Sequence, residues 1–78
     1  MTNFTLGNGT GDLYTFNGTF EGEKYSGVVK DGIFGIEVTD LTLGENNWNK
    51  YEESEMSISM ELVKRYVLRN VRKFGGNR

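Results

Sequence analysis

The sequence predicts an α+β domain, an antiparallel meander of three to four β-strands packed against one C-terminal amphipathic helix. Three observations predict it. Ten of the eleven glycines lie before residue 36 or at Gly75 and Gly76, and the remaining one is Gly44, so a turn-rich segment gives way to one uninterrupted element. Two dipeptides, Gly22-Glu23 and Asp31-Gly32, carry hairpin-turn chemistry. From Met56 onward, apolar residues recur at helical spacing. These signals divide the chain into a sheet over about residues 2–43, a connector over 44–53, a helix over about 54–74 and a short tail over 75–78. Seventy-eight residues suffice for one small domain and not for two.

The first strand is expected at Asn3 to Leu6, joined to the next through Gly7-Asn8-Gly9-Thr10-Gly11, whose glycine density suits a mobile connection. Glycine first in Gly22-Glu23 fits a type II′ turn and pairs Glu21 with Lys24. Asp31-Gly32 fits a type I′ turn and pairs Lys30 with Ile33. Counting outward by two from both turns puts Phe16, Gly18, Phe20, Tyr25, Gly27, Val29, Phe34, Ile36 and Val38 on one apolar face. Thr15, Asn17, Thr19, Lys24, Ser26, Lys30 and Glu37 fall on the other, wet face. Gly18, Gly27 and Ile36 then form a row in which the glycines leave room for a bulky group lying on the sheet. Further on, the apolar positions slip by one residue to Leu41 and Leu43, which requires a bulge or the strand's end near Thr39-Asp40.

Glu55 to Leu62 alternates as a strand would, but a helix accounts for more of the chain. At 100° per residue, Met56, Met60, Val63, Val67, Val71 and Phe74 fall within about 80° of one another. Ser54 suits the N-cap, Glu55 and Glu61 lie toward the positive end of the helix dipole, Arg72 and Lys73 toward the negative end, and Gly75 is a stop. β-branched Val63, Val67 and Val71 weaken intrinsic propensity, so the helix depends on docking its valine-methionine stripe on the sheet.

Composition narrows the function classes. With no histidine and no cysteine, the chain lacks the commonest zinc ligands, the neutral-pH proton shuttle, a thiol nucleophile and any disulfide, so no cofactor or metal is expected. Glu21 with Glu23 and Glu52 with Glu53 have no spacing that sets one pKa against the other, and the Gly7 to Gly11 loop lacks the Lys-Ser/Thr of a phosphate cradle. The expectation is a non-enzymatic protein. No apolar run approaches the ~20 residues of a membrane span, and Met1 to Thr10 lacks the basic and apolar regions of a secretory signal. A soluble, cytoplasmic chain without a membrane partner follows as the expectation.

Charge is the most informative remaining feature. Residues 1–53 carry three lysines against nine acids, a net −6; residues 54–78 carry six basic residues against Glu55 and Glu61, a net +4. If the valine-methionine stripe faces the sheet, Ile58, Leu62, Arg65, Arg69 and Arg72 share the opposite side of the helix. Two aliphatic anchors beside three guanidinium forks suit a larger protein with an acidic or mixed surface. The connector adds Trp48 and Tyr51 among Glu52, Glu53 and Glu55. Trp48 serves either as an exposed interface anchor or as a lid over the edge of the small core.

The sequence therefore predicts a protein-interaction module or small inhibitor, of a size shared by phage and mobile-element products that block host machinery. Its partner-binding residues would be Ile58, Leu62, Arg65, Arg69, Arg72, Trp48 and Tyr51. Two alternatives use the same helix. One is a nucleic-acid accessory protein whose arginines meet phosphates. The other is a homo-oligomer in which Ile58 and Leu62 pair with their own copies.

Overall fold

The computed structural model describes residues 2–52 and 54–75, with side chains up to residue 72. Five strands form one sheet: β1 (Asn3–Leu6), β2 (Leu13–Phe20), β3 (Glu23–Gly32), β4 (Gly35–Leu43) and β5 (Asn46–Asn49). They run antiparallel in chain order, and the helix α1 (Ile58–Gly75) packs across β4 and reaches β1. The α+β meander with a C-terminal helix is thus as expected, with five strands rather than three to four. The additional strand lies inside the expected connector. Asn46, Asn47 and Asn49 have low strand propensity, but Gly44-Glu45 has positive φ at Gly44 alone (60°), the II′ pattern that folds β5 back onto β4.

Both expected turns are displaced. β2 and β3 are joined through Glu21-Gly22, with φ of 51° and 87°, the double positive φ of a type I′ turn, and Phe20 pairs with Glu23. The turn between β3 and β4 is Ile33-Phe34, so Gly32 pairs with Gly35 instead of Lys30 with Ile33. The displacements are two and four residues in register; both are even, so the side-chain alternation survives. Phe16, Tyr25, Val29 and Val38 still face the core. Phe34 does not; it sits at the turn tip, and Ile36 is half-buried. The observed register exchanges the burial of Phe34 for that of Leu41 and Leu43, which pair with Gly27 and Tyr25.

That exchange needs a phase change, and β4 supplies it where the sequence places it. Val29 pairs with Val38 and Val28 with Asp40, leaving Thr39 as the extra residue of a bulge. Thr39 is buried, its hydroxyl donates to the Val28 carbonyl at 3.4 Å, and its own carbonyl accepts the Lys50 amide at 2.9 Å. Val38, Leu41 and Leu43 consequently all reach the core.

The expected row of Gly18, Gly27 and Ile36 is broken by the same shift. Gly27 lies opposite Phe16 and Leu41, and Gly18 opposite Tyr25. The bulky groups over these glycines are the sheet's own rings: a Cβ on Gly27 would stand 2.6 Å from Phe16 Cζ, and one on Gly18 2.6 Å from the Tyr25 oxygen. Tyr25 is thereby able to donate to the Asn3 carbonyl at 2.6 Å, fastening edge strand β1. Burial, with Tyr66 adding to it, pushes the Tyr25 phenol up to about 12. In the unfolded chain a tyrosine ionises near 10, as a rough reference value. The native state therefore holds its proton where the unfolded state releases it. The resulting stabilisation is complete below pH ~10 and is lost as pH rises toward 12. Urea midpoints measured across that window should fall more steeply for the wild type than for Tyr25→Phe.

Glu21 holds the one positive φ of a non-glycine residue among the described residues. A left-handed conformation costs an ordinary residue roughly 1–2 kcal/mol, and asparagine tolerates it better. Glu21→Asn is expected to stabilise the fold by about 0.5–1 kcal/mol, read as a raised urea midpoint.

The helix starts at Ile58, four residues later than expected, because Ser57 and not Ser54 is the cap. The Met60 amide donates to Ser57 Oγ at 3.2 Å and the Glu61 amide to its carbonyl at 2.9 Å. Ser54 is instead engaged in the connector, where its hydroxyl donates to the Asn49 carbonyl at 3.5 Å. Met60, Val63, Val67 and Val71 are buried against Phe16, Tyr25, Val29, Val38, Leu41 and Leu43, and Met56 packs beside them just ahead of the helix. The Phe74 and Lys73 side chains and the tail from Gly76 to Arg78 lie outside the described residues, as does Glu53.

Candidate docking surfaces

With its valine seam turned to the sheet, α1 presents Ile58, Leu62, Arg65, Arg69 and Arg72 outward. Ile58 is 82% exposed and Leu62 46%, and all three arginines are exposed. Arg65, Arg69 and Arg72 line a shallow groove together with half-buried Leu68. Among the described residues, no carboxylate lies within ion-pair distance of these arginines; Lys50 pairs with Glu37 at 2.6 Å, away from them. The described acids thus leave the guanidinium groups unneutralised by contact. Over the seven residue steps from Arg65 to Arg72 the cationic row extends about 10 Å along the helix.

The connector's aromatics separate into two environments. Trp48 is in β5, opposite Leu41 on the core side of the sheet, and is half-buried. Lys64 Nζ stands 5.8 Å from its ring centroid. Since Lys64 is about a third of a turn round the helix from the arginine row, Trp48 acts as a lid at the sheet edge and does not share the outer face with Ile58 and Leu62. Tyr51 is 72% exposed, with Lys50 Nζ 5.6 Å from its ring. The Lys50 hydrogen bond holds the Glu37 carboxyl below its usual range and raises Lys50 in turn, so this pair ties the connector to β4. Of the seven sequence-derived residues, five therefore share one helix face, Trp48 lies apart from it at the sheet edge, and Tyr51 is exposed in the connector.

One exposed feature has no counterpart in the sequence reading. Ile33 is 94% and Phe34 99% exposed at the tip of the β3–β4 hairpin. The signal that could have revealed it is the pair of glycines bracketing them, Gly32 and Gly35, where Gly35 takes a φ of 119° that an L-residue avoids. The back of the sheet is polar as expected. Thr5, Asn17, Ser26, Thr42 and Asn47 align in one row across all five strands, and Asn47 donates to Thr42 Oγ1 at 2.7 Å.

Among the described residues, no group of three or more carboxylates converges as a metal site would require, and no helix is long and apolar enough to cross a membrane. Comparison with family models, curated proteins and solved structures finds no match for the chain.

Proposed function

We propose that this chain is a non-catalytic interaction module, or small inhibitor, that docks on a larger protein through the outer face of α1. The observation that carries this reading is the run of exposed arginines at positions 65, 69 and 72 that, among the described residues, have no carboxylate within ion-pair distance, standing beside exposed Ile58 and Leu62. Guanidinium groups supply paired donors for carboxylates, and the aliphatic side chains supply the area that drains water from such a contact. The partner surface is acidic with an apolar centre. Nucleic-acid binding is less well supported, since the rings of Phe16 and Tyr25 are buried beneath the helix and offer no stacking platform for bases.

Affinity capture with the wild type and with the double variant Arg65→Glu/Arg69→Glu tests the proposal. A partner bound by the wild type at low salt should be retained at least about tenfold less by the variant, with its thermal midpoint unchanged because both positions are exposed. Equal retention would overturn the reading. Gel shifts with single- and double-stranded oligonucleotides provide the competing outcome: robust binding that weakens in Arg65→Ala/Arg69→Ala would assign the face to phosphates instead.

A further inference from the structure

Ile58, Leu62, Arg65, Arg69 and Arg72 are separated by four, three, four and three residues, the alternation of a heptad seam in which Ile58, Arg65 and Arg72 take d positions and Leu62 and Arg69 take a positions. Met60, Val63, Val67 and Val71, buried against the sheet, then occupy b, c and f positions on the back of the same helix. The sheet covers one side of α1 and leaves the seam open. Its five residues fall within about 80° of one another and run about 21 Å along the axis, a strip long and narrow enough to receive a second helix.

Charge decides what that helix must carry. α1 has five basic residues against Glu61, which stands one turn before Arg65 but beyond ion-pair distance of it. Arg72 lies in the last turn, where the helix dipole favours a cation, but Arg65 and Arg69 lie before it and repel each other at i, i+4. The isolated fold gains nothing from that pair. Covering the arginines with apolar side chains would strip them of water without a partner, so the facing residues must be carboxylates. A second copy of the chain does not supply them: antiparallel pairing sets Arg65 against Arg65 and Ile58 against Arg72, and parallel pairing sets every arginine against its like. A long polyanion continues past the row and is repelled by residues 1–53, at a net −6, whereas a short acidic helix ends with it.

We propose, resting on the docking role given to this face above, that the outer seam of α1 pairs antiparallel with an amphipathic helix of a partner protein. That helix carries three carboxylates on its centre line in the N-terminal half, facing Arg72, Arg69 and Arg65 in turn, followed on the same line by two aliphatic residues facing Leu62 and Ile58. Antiparallel order puts its acids at the positive end of its own dipole and opposes the two helix dipoles.

The test titrates the full chain into fluorescein-labelled synthetic helices of about 20 residues built on alanine and glutamine, read by anisotropy at low salt. The matched peptide carries three glutamates and then two leucines, separated by three, four, three and four residues. It should bind at least about tenfold more tightly than its reversed sequence, and than a peptide of the same composition with the five residues scattered round the helix. Arg69→Glu should weaken the matched peptide at least about tenfold, and arginine in place of that peptide's second glutamate should restore binding. The variant's thermal midpoint should equal the wild type's, because position 69 is exposed. In cells, photoreactive benzoylphenylalanine at position 62 should label a partner segment with carboxylates at three- and four-residue spacing. No binding of the matched peptide, equal binding of the scattered or reversed one, failure of the charge exchange to restore affinity, or a labelled segment lacking that spacing would each overturn helix pairing. If all three peptides bind equally and Arg69→Glu weakens them alike, the arginine face survives as a docking surface and only the paired helix is lost.

Discussion

Gly27→Ala is expected to destabilise the protein by about 3 kcal/mol, read as a sharply lowered urea midpoint. The added Cβ would run into the Asp40 carbonyl of β4 and the Phe16 ring of β2 at once. A ring can turn aside; a backbone carbonyl in the middle of a ladder cannot. The two obstacles are separable, because Phe16→Leu in the Gly27→Ala background removes the ring and leaves the carbonyl. That combination should recover little stability, whereas substantial recovery would mean that the ring was the main obstacle. Total stability for a domain this size is roughly 4–12 kcal/mol, so the loss is a large fraction of the whole. Urea titration followed by far-ultraviolet circular dichroism would measure it, and a midpoint within experimental error of the wild type would refute the packing described for this strand pair.

The second large effect is expected at the helix-sheet seam. Val67 is fully buried, in the middle of the row formed by Met60, Val63 and Val71. Val67→Asp would place a carboxylate within the buried apolar cluster, at a cost of about 3–5 kcal/mol. The helix depends on docking more than on propensity, so its expected response is to leave the sheet. Two optical signatures should accompany undocking: binding of a hydrophobic dye to the bared apolar face, and a red shift in Trp48 emission as the ring loses its cover and the Lys64 contact. Arg69→Asp, one turn-face away on the exposed side, is the matched control and should change stability by no more than about 0.5 kcal/mol.

What could be read from residues alone, and what could not, follows from how strongly each signal excludes its alternatives. Helix α1 was legible because its apolar stripe extends over several turns, whereas the strand-like alternation stops at Leu62. The Thr39 bulge was legible because Val38, Leu41 and Leu43 cannot all reach one side of a regular strand. The turns were not, because Asp31-Gly32 is a good I′ pair in isolation, yet the longer hairpin gains Leu41 and Leu43 for the core and leaves Ile33 and Phe34 outside. Local turn preference is worth less than two buried leucines. Strand β5 escaped notice because three asparagines conceal it, and only the Gly44-Glu45 geometry together with Leu41 beneath Trp48 explains its pairing. Of the candidate surface, the arginine row followed directly from helical spacing. The Ile33-Phe34 tip did not, since it exists only in the register that local turn chemistry argues against.

The identity between the sheet's spatial order and its order along the chain has a bearing on assembly. Every strand meets the one synthesised immediately before it, so no pairing has to wait for a distant partner. The cover comes last. Until α1 has emerged, the nascent sheet carries Phe16, Tyr25, Val29, Val38, Leu41 and Leu43 without a roof, and the interval before closure is when this small protein is most open to aggregation.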